Sequence, residues 1–135
     1  MADSGTFQCS VVTPERAVLE CEAKSVTLPA WDGEIGILRN RAPLVCRLGI
    51  GELRVESPSE KHTLFLDGGF AEMSENRLTI LTSAARFPEE LTQEELDANL
   101  EAAGTIEVRD DASFKARQAA LQRARVQRNM MPTSS

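Results

Sequence analysis

The sequence lacks any run of about 18 apolar residues, so no helix is predicted to span a bilayer. Its start, through Cys9, has neither a basic stretch nor a long apolar stretch, which argues against a secretory signal. Motifs of serine hydrolases, P-loop proteins and zinc proteases are missing, and His62 is the sole histidine. We therefore predict no catalytic residue, no metal site, no cofactor and no direct insertion into a membrane.

Cysteine is also scarce, with three residues at positions 9, 21 and 46. The odd number and the wide spacing argue against a disulfide framework and against a metal site built on closely spaced cysteines. We expect small buried side chains in a reducing compartment, which predicts a cytoplasm-facing protein. The net charge of −6 opposes general binding to nucleic acid.

The charge is unevenly distributed along the chain. Residues 1–85 carry 12 acidic and 8 basic side chains, whereas residues 86–111 carry 9 acidic ones and only Arg86 and Arg109 as bases. Residues 112–135 carry five basic side chains and no acidic one. Such asymmetry is typical of two helices of opposite sign, or of a basic tail that binds an acidic partner.

The first two thirds of the chain show short β-rich segments separated by glycine-containing turns. Strands are predicted at residues 7–12, 24–28, 52–56, 63–66 and 77–81. The spacing and the lack of a helical period between them predict an antiparallel sandwich or barrel. Glycines are expected to mark the bends, because glycine adopts the positive φ that tight turns need. These are residues 33, 36, 49, 51, 68 and 69.

After Pro88 the pattern changes to two helices. The first is predicted at about residues 93–103, with Thr92 as the N-cap, Glu95 completing a capping box and Gly104 following the helix end. Residues 105–108 read as a β-branched connector. The second helix begins near Asp110 and ends near Met130, before a proline, and the last three residues look like a frayed end. Both helices have thin apolar stripes, which predicts weak docking.

Other polar features have modest interpretations. His62 is most simply an exposed or edge histidine. The sequence Asp67-Gly68-Gly69 resembles a phosphate-binding loop but lacks a following helix and lysine, so a hairpin turn is favoured. The carboxylates of Asp32 and Glu34 could bind a cation, but two ligands make a poor calcium site, and a polar loop presented to another protein is favoured.

Five segments in order resemble the ε subunit of bacterial ATP synthases. They are the run from Cys9 to Arg16, the glycine turn of residues 33–37, the Arg-Ala-Pro-Leu run at 41–44, the run at 49–55 and the stretch at 66–73. The strand at 78–82 continues the match, which covers residues 7–87, and a helical tail then follows.

The resemblance implies an α+β protein with two domains. Residues 1–87 would form a flattened antiparallel β-sandwich that binds the γ subunit and the c ring, and residues 88–135 an antiparallel two-helix hairpin. The protein would be a non-catalytic rotor component of the central stalk, peripheral on the cytoplasmic face of the plasma membrane. Its hairpin would extend toward the catalytic α and β subunits and modulate ATP hydrolysis.

The resemblance also assigns residues of the sandwich. It implies that Asp32, Gly33 and Glu34 lie in the loop that faces the c ring. It implies that the segment facing γ consists of Arg41, Ala42, Pro43 and Leu44, with the arginine where the family often has a histidine.

In the tail, the family's ATP-sensing motif is degenerate. Leu96 and Asp97 match it, but Leu100 replaces the arginine and Glu101 the alanine, so weak or absent ATP binding is expected. The second helix offers basic residues for the acidic loops of the catalytic subunits, or for the acids of the first helix in a closed hairpin. Both partners remain open for Arg117, Arg123, Arg125 and Arg128.

Two functions of other classes remain as alternatives. One is a stand-alone β-sandwich binding module with a helical appendage. The other is an enzyme with a Cys/His pair, which an unusually reactive Cys46 or Cys9 would favour.

Overall fold

A computed structural model describes residues 5–131 of the chain. Contacts within the chain group into two compact units that meet between Ala85 and Arg86. The first unit is built from β-strands and the second from helices. Among residues 5–131, no helix is long and apolar enough to cross a lipid bilayer.

The first unit is built around one eight-stranded sheet. The strands are β1 (Phe7–Val12), β2 (Ala17–Ala23), β3 (Ser25–Ala30), β4 (Gly33–Leu38), β5 (Leu44–Glu56), β6 (Lys61–Ser74), β7 (Arg77–Leu81) and β8 (Ala85–Arg86). Seven of them lie in the order β2-β1-β7-β6-β5-β3-β4, and the two-residue β8 pairs with β6.

The long hairpin of β5 and β6 connects the two layers of the sandwich. Residues 70–74 of β6 pair with β7, whereas β3 pairs mainly with residues 54–56 of β5. The β5–β6 ladder keeps one register from Leu44↔Met73 to Glu56↔Lys61 and is interrupted at Gly49 and Gly68. Because the two wings of the sheet attach to opposite halves of this ladder, a bend in the middle brings them face to face.

The core lies between the two wings. Alternating positions on each wing are buried, as the period of two in a β-strand requires. The wing of β1 and β7 contributes Cys9, Val11, Leu78 and Ile80, all of them fully buried. The other wing contributes Val26, Leu28, Ile37, Leu53 and Val55.

The predicted sandwich followed by two helices is confirmed, but several details differ. The strands at 7–12 and 77–81 are confirmed with their predicted limits. β2 was missed because Glu20 and Glu22 obscure its apolar residues, and β4 because its two glycines were interpreted as bends. The sheet is also not wholly antiparallel: β1 and β7 pair in parallel. That pairing joins distant segments and therefore leaves no local hairpin signal.

The expected hairpin turn at Asp67-Gly68-Gly69 is wrong. All three residues lie inside β6, which continues through them to Ser74. Gly68 and Gly69 have φ values of 73° and 116°, so the strand bends sharply without reversing. At Gly69 a Cβ would collide with the carbonyl oxygen of Leu81 and lie 2.8 Å from the Cα of Thr82. Glycine is required here for the bend between layers and for close backbone contact.

In the second unit, a short 3₁₀ turn (Pro88–Glu90) precedes α1 (Gln93–Thr105) and α2 (Asp111–Met130). The Thr92 side chain accepts a hydrogen bond from the Glu95 amide at 3.1 Å, so the predicted N-cap is confirmed. The capping box is not formed, because the Glu95 carboxylate pairs with Arg86 at 3.0 Å instead. Asp110 caps α2 in a capping box with Ser113.

The C-terminal end of α1 also differs from the prediction. Gly104 and Thr105 belong to the helix, and the C-cap is Ile106, so Gly104 does not follow the helix end. Nothing within 4 Å would obstruct a side chain at Gly104, which agrees with an ordinary helical position. The end of α2 at Met130 is confirmed. The proline expected to stop it and the frayed end expected at 133–135 lie outside the described residues.

Candidate interaction surfaces

The sandwich exposes three large apolar side chains on neighbouring strands. Val45 of β5, Phe70 of β6 and Leu81 of β7 are 68%, 57% and 53% exposed. Phe70 lies directly opposite Leu81 in one ladder and opposite Arg47, two residues after Val45, in the other. Since directly paired residues share a face, these side chains form one surface, which we call the outer apolar face.

The alternation of the strands explains why this face exists. Ala71 and Met73 of β6, and Ile80 of β7, are buried, so their neighbours in sequence point away from the core. Strands with one solvated face normally carry polar residues there. Contiguous exposed apolar residues on an ordered sheet are typical of a surface that binds another protein.

Trp31, in the β3–β4 turn, adjoins Arg47 at the edge of this face. The Arg47 guanidinium lies 4.5 Å from the centre of the indole ring, within cation–π range. The Trp31 amide also donates to the Arg47 carbonyl at 2.9 Å. Together these contacts attach the turn that contains Asp32 to β5.

The two carboxylates predicted to face the c ring are both exposed but have different surroundings. Asp32 is exposed in the turn, and Gly33 begins β4 with a φ of 139°, a value suited to glycine. Glu34 is exposed but pairs with Arg54 at 3.0 Å. Among residues 5–131, no group of three or more potential protein ligands could hold a metal ion.

The predicted γ-facing segment lies between β4 and β5. Arg41, Ala42 and Pro43 are exposed, and Leu44 is half-buried as the first residue of β5. The Arg41 amide donates to the Leu38 carbonyl at 3.2 Å. Because Val45 follows directly, this segment and the outer apolar face are contiguous.

Three of the four arginines described in α2 lack the ion pairs expected of a closed hairpin. Within residues 5–131, Arg117, Arg125 and Arg128 make no ion pair with an acid of α1. Arg125 instead donates to Gln122 at 3.0 Å. Arg123 makes an interaction of its own.

The degenerate ATP-sensing motif lies on α1. Leu96 is buried, whereas Asp97 is exposed and accepts from Gln93 at 2.9 Å. Leu100 lines a groove of about 190 Å³ together with side chains of α2. Those side chains are Leu121, Ala124, Arg125 and Arg128.

Sequence reasoning missed the polar contact between the helices. The Asn99 side-chain amide donates to Gln127 Oε1 at 2.8 Å, and Gln127 is buried. Two amides on otherwise polar helices give no sequence signal beyond their helical spacing. A hydrogen bond between a half-buried and a buried amide favours one helix register over others.

The cysteines give no support to an enzyme with an activated thiol. All three are free, and burial, with a smaller effect from nearby Cys21, raises the pKa of Cys9 from 9.0 to about 12. Burial also raises the pKa of Cys21 and of Cys46. Such thiols are poor nucleophiles at neutral pH. His62 is half-buried near the start of β6, with Nε2 3.4 Å from Glu60 Oε1.

Comparison with known proteins identifies the class to which this fold belongs. The family described as "ATP synthase, Delta/Epsilon chain, beta-sandwich domain" matches residues 6–88. The chain belongs to this family of ATP synthase subunits.

Relatives that match over nearly the whole chain are epsilon chains, a non-catalytic subunit of the complex. The ATP synthase epsilon chain of Rhodopirellula baltica is 38% identical over 122 residues, covering 90% of this chain and 95% of the relative. The chloroplastic epsilon chain of Pyropia yezoensis is 37% identical over 134 residues, covering 96% and 99%.

Solved structures share the fold. A chain in the mitochondrial ATP synthase structure of Euglena gracilis, containing OSCP, F1 and the c ring, aligns with a TM-score of 0.80 and 23% identity. The alignment covers 96% of this chain and 83% of that one. A chain in the central stalk and c-ring structure of Tetrahymena thermophila aligns with a TM-score of 0.68 and 14% identity, covering 93% and 96%.

Proposed function

We propose that this chain couples rotation of the c ring to the γ subunit in the central stalk of an ATP synthase. In this proposal the outer apolar face and residues 41–44 bind γ, and the loop of Asp32, Gly33 and Glu34 binds the c ring. The observation that carries it is the exposure of Val45, Phe70 and Leu81 on one face of an ordered sheet. Coupling of this kind needs complementary surfaces and stiffness rather than catalytic groups.

The sandwich is well suited to transmitting torque. The c-ring-facing loop is attached to β5 by the Trp31–Arg47 contact, and β5 also carries Val45. The β5–β6 ladder runs through both layers of the sandwich. A force applied at the loop therefore reaches the γ-facing surface through the hydrogen bond from Trp31 to Arg47 and the backbone of β5.

The helical unit is proposed to regulate ATP hydrolysis by extending toward the catalytic subunits. Two properties support this. The first half of α2 is almost entirely exposed, and the buried residues of α2 are Ala124, Gln127 and Met130. Its basic side chains Arg117, Arg125 and Arg128 also form no ion pairs with the acids of α1 among the described residues, so an acidic partner can attract them.

ATP is not proposed as a ligand of the helical unit. Leu100 places an apolar side chain where a phosphate-binding arginine would lie, and Glu101 adds negative charge beside it. Isothermal titration of the full chain with ATP should show no micromolar binding. A micromolar dissociation constant would contradict this and would implicate Arg125 or Arg128 of the groove.

The proposed location is the cytoplasmic face of the plasma membrane, as a peripheral part of the complex. The free cysteines agree with a reducing compartment. Attachment through protein partners explains membrane association without a spanning segment.

Binding to purified γ tests the main proposal with a matched pair of variants. Phe70→Ala removes a phenyl group from the outer apolar face, and Phe114→Ala removes one that is 50% exposed on α2. Burying the exposed half of a phenyl group contributes about 1–2 kcal/mol, so Phe70→Ala should weaken γ binding roughly 5- to 30-fold.

Phe114→Ala should leave γ affinity unchanged within about twofold. Thermal melting of both variants controls for folding. If folded Phe70→Ala binds γ as tightly as Phe114→Ala does, the outer apolar face is not the γ-binding surface.

A further inference from the structure

Two asparagines 36 residues apart form a reciprocal pair of hydrogen bonds. The Asn40 backbone amide donates to Asn76 Oδ1 at 2.6 Å, and Asn76 Nδ2 donates to Asn40 Oδ1 at 3.0 Å. Asn40 lies in the β4–β5 loop, and Asn76 lies in the β6–β7 turn. We call this pair the asparagine clamp.

Asn76 is itself held firmly. It is the second residue of the two-residue turn between the paired Ser74 and Arg77, and its carbonyl accepts from the Gln8 amide at 2.9 Å. One residue therefore connects β1, the β6–β7 hairpin and the β4–β5 loop.

Backbone conformation alone does not explain why asparagine occupies position 76. Glu75, Asn76 and Asn40 have positive φ values of 50°, 58° and 66°. Asparagine tolerates positive φ better than most residues do, but glycine adopts it with even less strain. Glu75 also has a positive φ, and it makes no contact in the clamp. What distinguishes Asn76 from its neighbour is the carboxamide directed at Asn40.

The clamp controls the start of the proposed γ-facing segment. Arg41 follows Asn40 directly, and the next two residues, Ala42 and Pro43, are exposed before β5 begins at Leu44. In a connection this exposed, few packing contacts fix the backbone, so a hydrogen bond to the rigid hairpin decides its position. The same hairpin carries Phe70 and Leu81 of the outer apolar face.

We propose that Asn76 is a positioning residue that holds residues 41–44 in register with the outer apolar face for docking to γ. The inference rests on the proposed function of these two surfaces. A segment fixed before binding avoids the entropy of ordering at the interface, so the clamp raises affinity without touching the partner. Loss of hydrogen bonds of this kind predicts γ binding weakened by about 3- to 10-fold.

The chain offers a matched control beside Asn76. Asn76→Gly keeps the positive φ of the turn and removes the carboxamide, whereas Glu75→Gly changes the adjacent residue of the same turn and leaves the clamp intact. In full-length protein titrated with purified γ, Asn76→Gly should bind about 3- to 10-fold more weakly than Glu75→Gly. Asn40→Gly keeps the backbone amide that donates to Asn76 Oδ1 and removes only the Oδ1 acceptor, so its affinity should lie between those of wild type and Asn76→Gly. The double variant should bind no more weakly than Asn76→Gly, because Asn76→Gly already removes both hydrogen bonds.

Two measurements separate positioning from general destabilisation. Amide hydrogen exchange of Asn40 and Arg41 should accelerate in Asn76→Gly, while the amides of β7 stay protected as in Glu75→Gly. Asn76→Asp keeps the acceptor for the Asn40 amide and loses the donor, so its γ affinity should lie between wild type and Asn76→Gly.

The outcomes distinguish the two proposals. If wild type does not bind γ, the proposed function fails and the role of the clamp fails with it. If wild type binds γ but Asn76→Gly and Glu75→Gly have equal affinities and equal exchange at Arg41, the clamp is overturned and the proposed function stands.

Discussion

Replacing Gly69 by alanine tests how the sandwich bends between its layers. The new methyl group would collide with the carbonyl oxygen of Leu81 and lie 2.8 Å from the Cα of Thr82. Both are backbone atoms, so no side chain can rotate away to make room. The φ of 116° adds strain, because side-chain-bearing residues rarely adopt it.

The magnitude follows from three contributions. Backbone strain costs about 1–3 kcal/mol. Separating β6 from β7 at Phe70 and Leu81 sacrifices one or two ladder hydrogen bonds of about 0.5–1.5 kcal/mol each. The reduced entropy of the unfolded chain returns about 0.4–1 kcal/mol. The net loss is about 2–4 kcal/mol.

Gly36→Ala is the control, since nothing lies within 4 Å of the position that its new methyl group would take in β4, and its φ is not positive. Thermal melting by circular dichroism should show Tm lowered by at least about 10 °C for Gly69→Ala and changed by no more than a few degrees for Gly36→Ala. Equal melting temperatures would refute the argument that close backbone contact at Gly69 requires glycine.

Three further outcomes are expected. Asn99→Leu and Gln127→Leu should each destabilise the helical unit by about 1–2 kcal/mol, whereas the double variant should be nearly neutral, because a buried amide without a partner costs more than an apolar pair; additive losses in a melting cycle would contradict this. Burial raises the pKa of Cys9 from 9.0 to about 12, so the unfolded chain releases this proton first and stability falls as pH rises above 9. Wild type should lose about 1.4 kcal/mol more than Cys9→Ala between pH 8 and pH 10 in urea titrations, and parallel pH profiles would argue against it. Deleting residues 88–135 should raise ATP hydrolysis by the reconstituted complex. Replacing the four α2 arginines by alanine should reproduce most of this rise. If it does not, the tail inhibits by steric block and electrostatic attraction is not the cause.

The strands and helices that were predicted correctly are those with a local sequence signal. Alternation identified β1 and β7, and Thr92 and Asp110 identified the starts of the helices. Glycines were less useful for predicting where the chain turns. Glycine occurs in turns, as at Gly33, but also where two strands approach closely, as at Gly69.

The surfaces were harder to predict than the fold. The outer apolar face exists because register places Val45, Phe70 and Leu81 together, although they are far apart in sequence. The asparagine clamp and the Asn99–Gln127 contact depend on long-range geometry in the same way. A single sequence gives residue types and local periods, but not which distant strands become neighbours.

The parallel pairing of β1 with β7 also affects the order in which the strands can pair while the chain is being synthesised. β1 can pair with β2 as soon as both leave the ribosome, yet its other edge has no partner until Leu81 has been synthesised. The β5–β6 hairpin is local and therefore forms quickly, whereas closing β1 onto β7 joins residues about 70 positions apart and is slow. During that interval the nascent chain carries an open strand edge, which is a site for mispairing between chains. We expect chains stalled before β7 to be the form that aggregates and requires a chaperone.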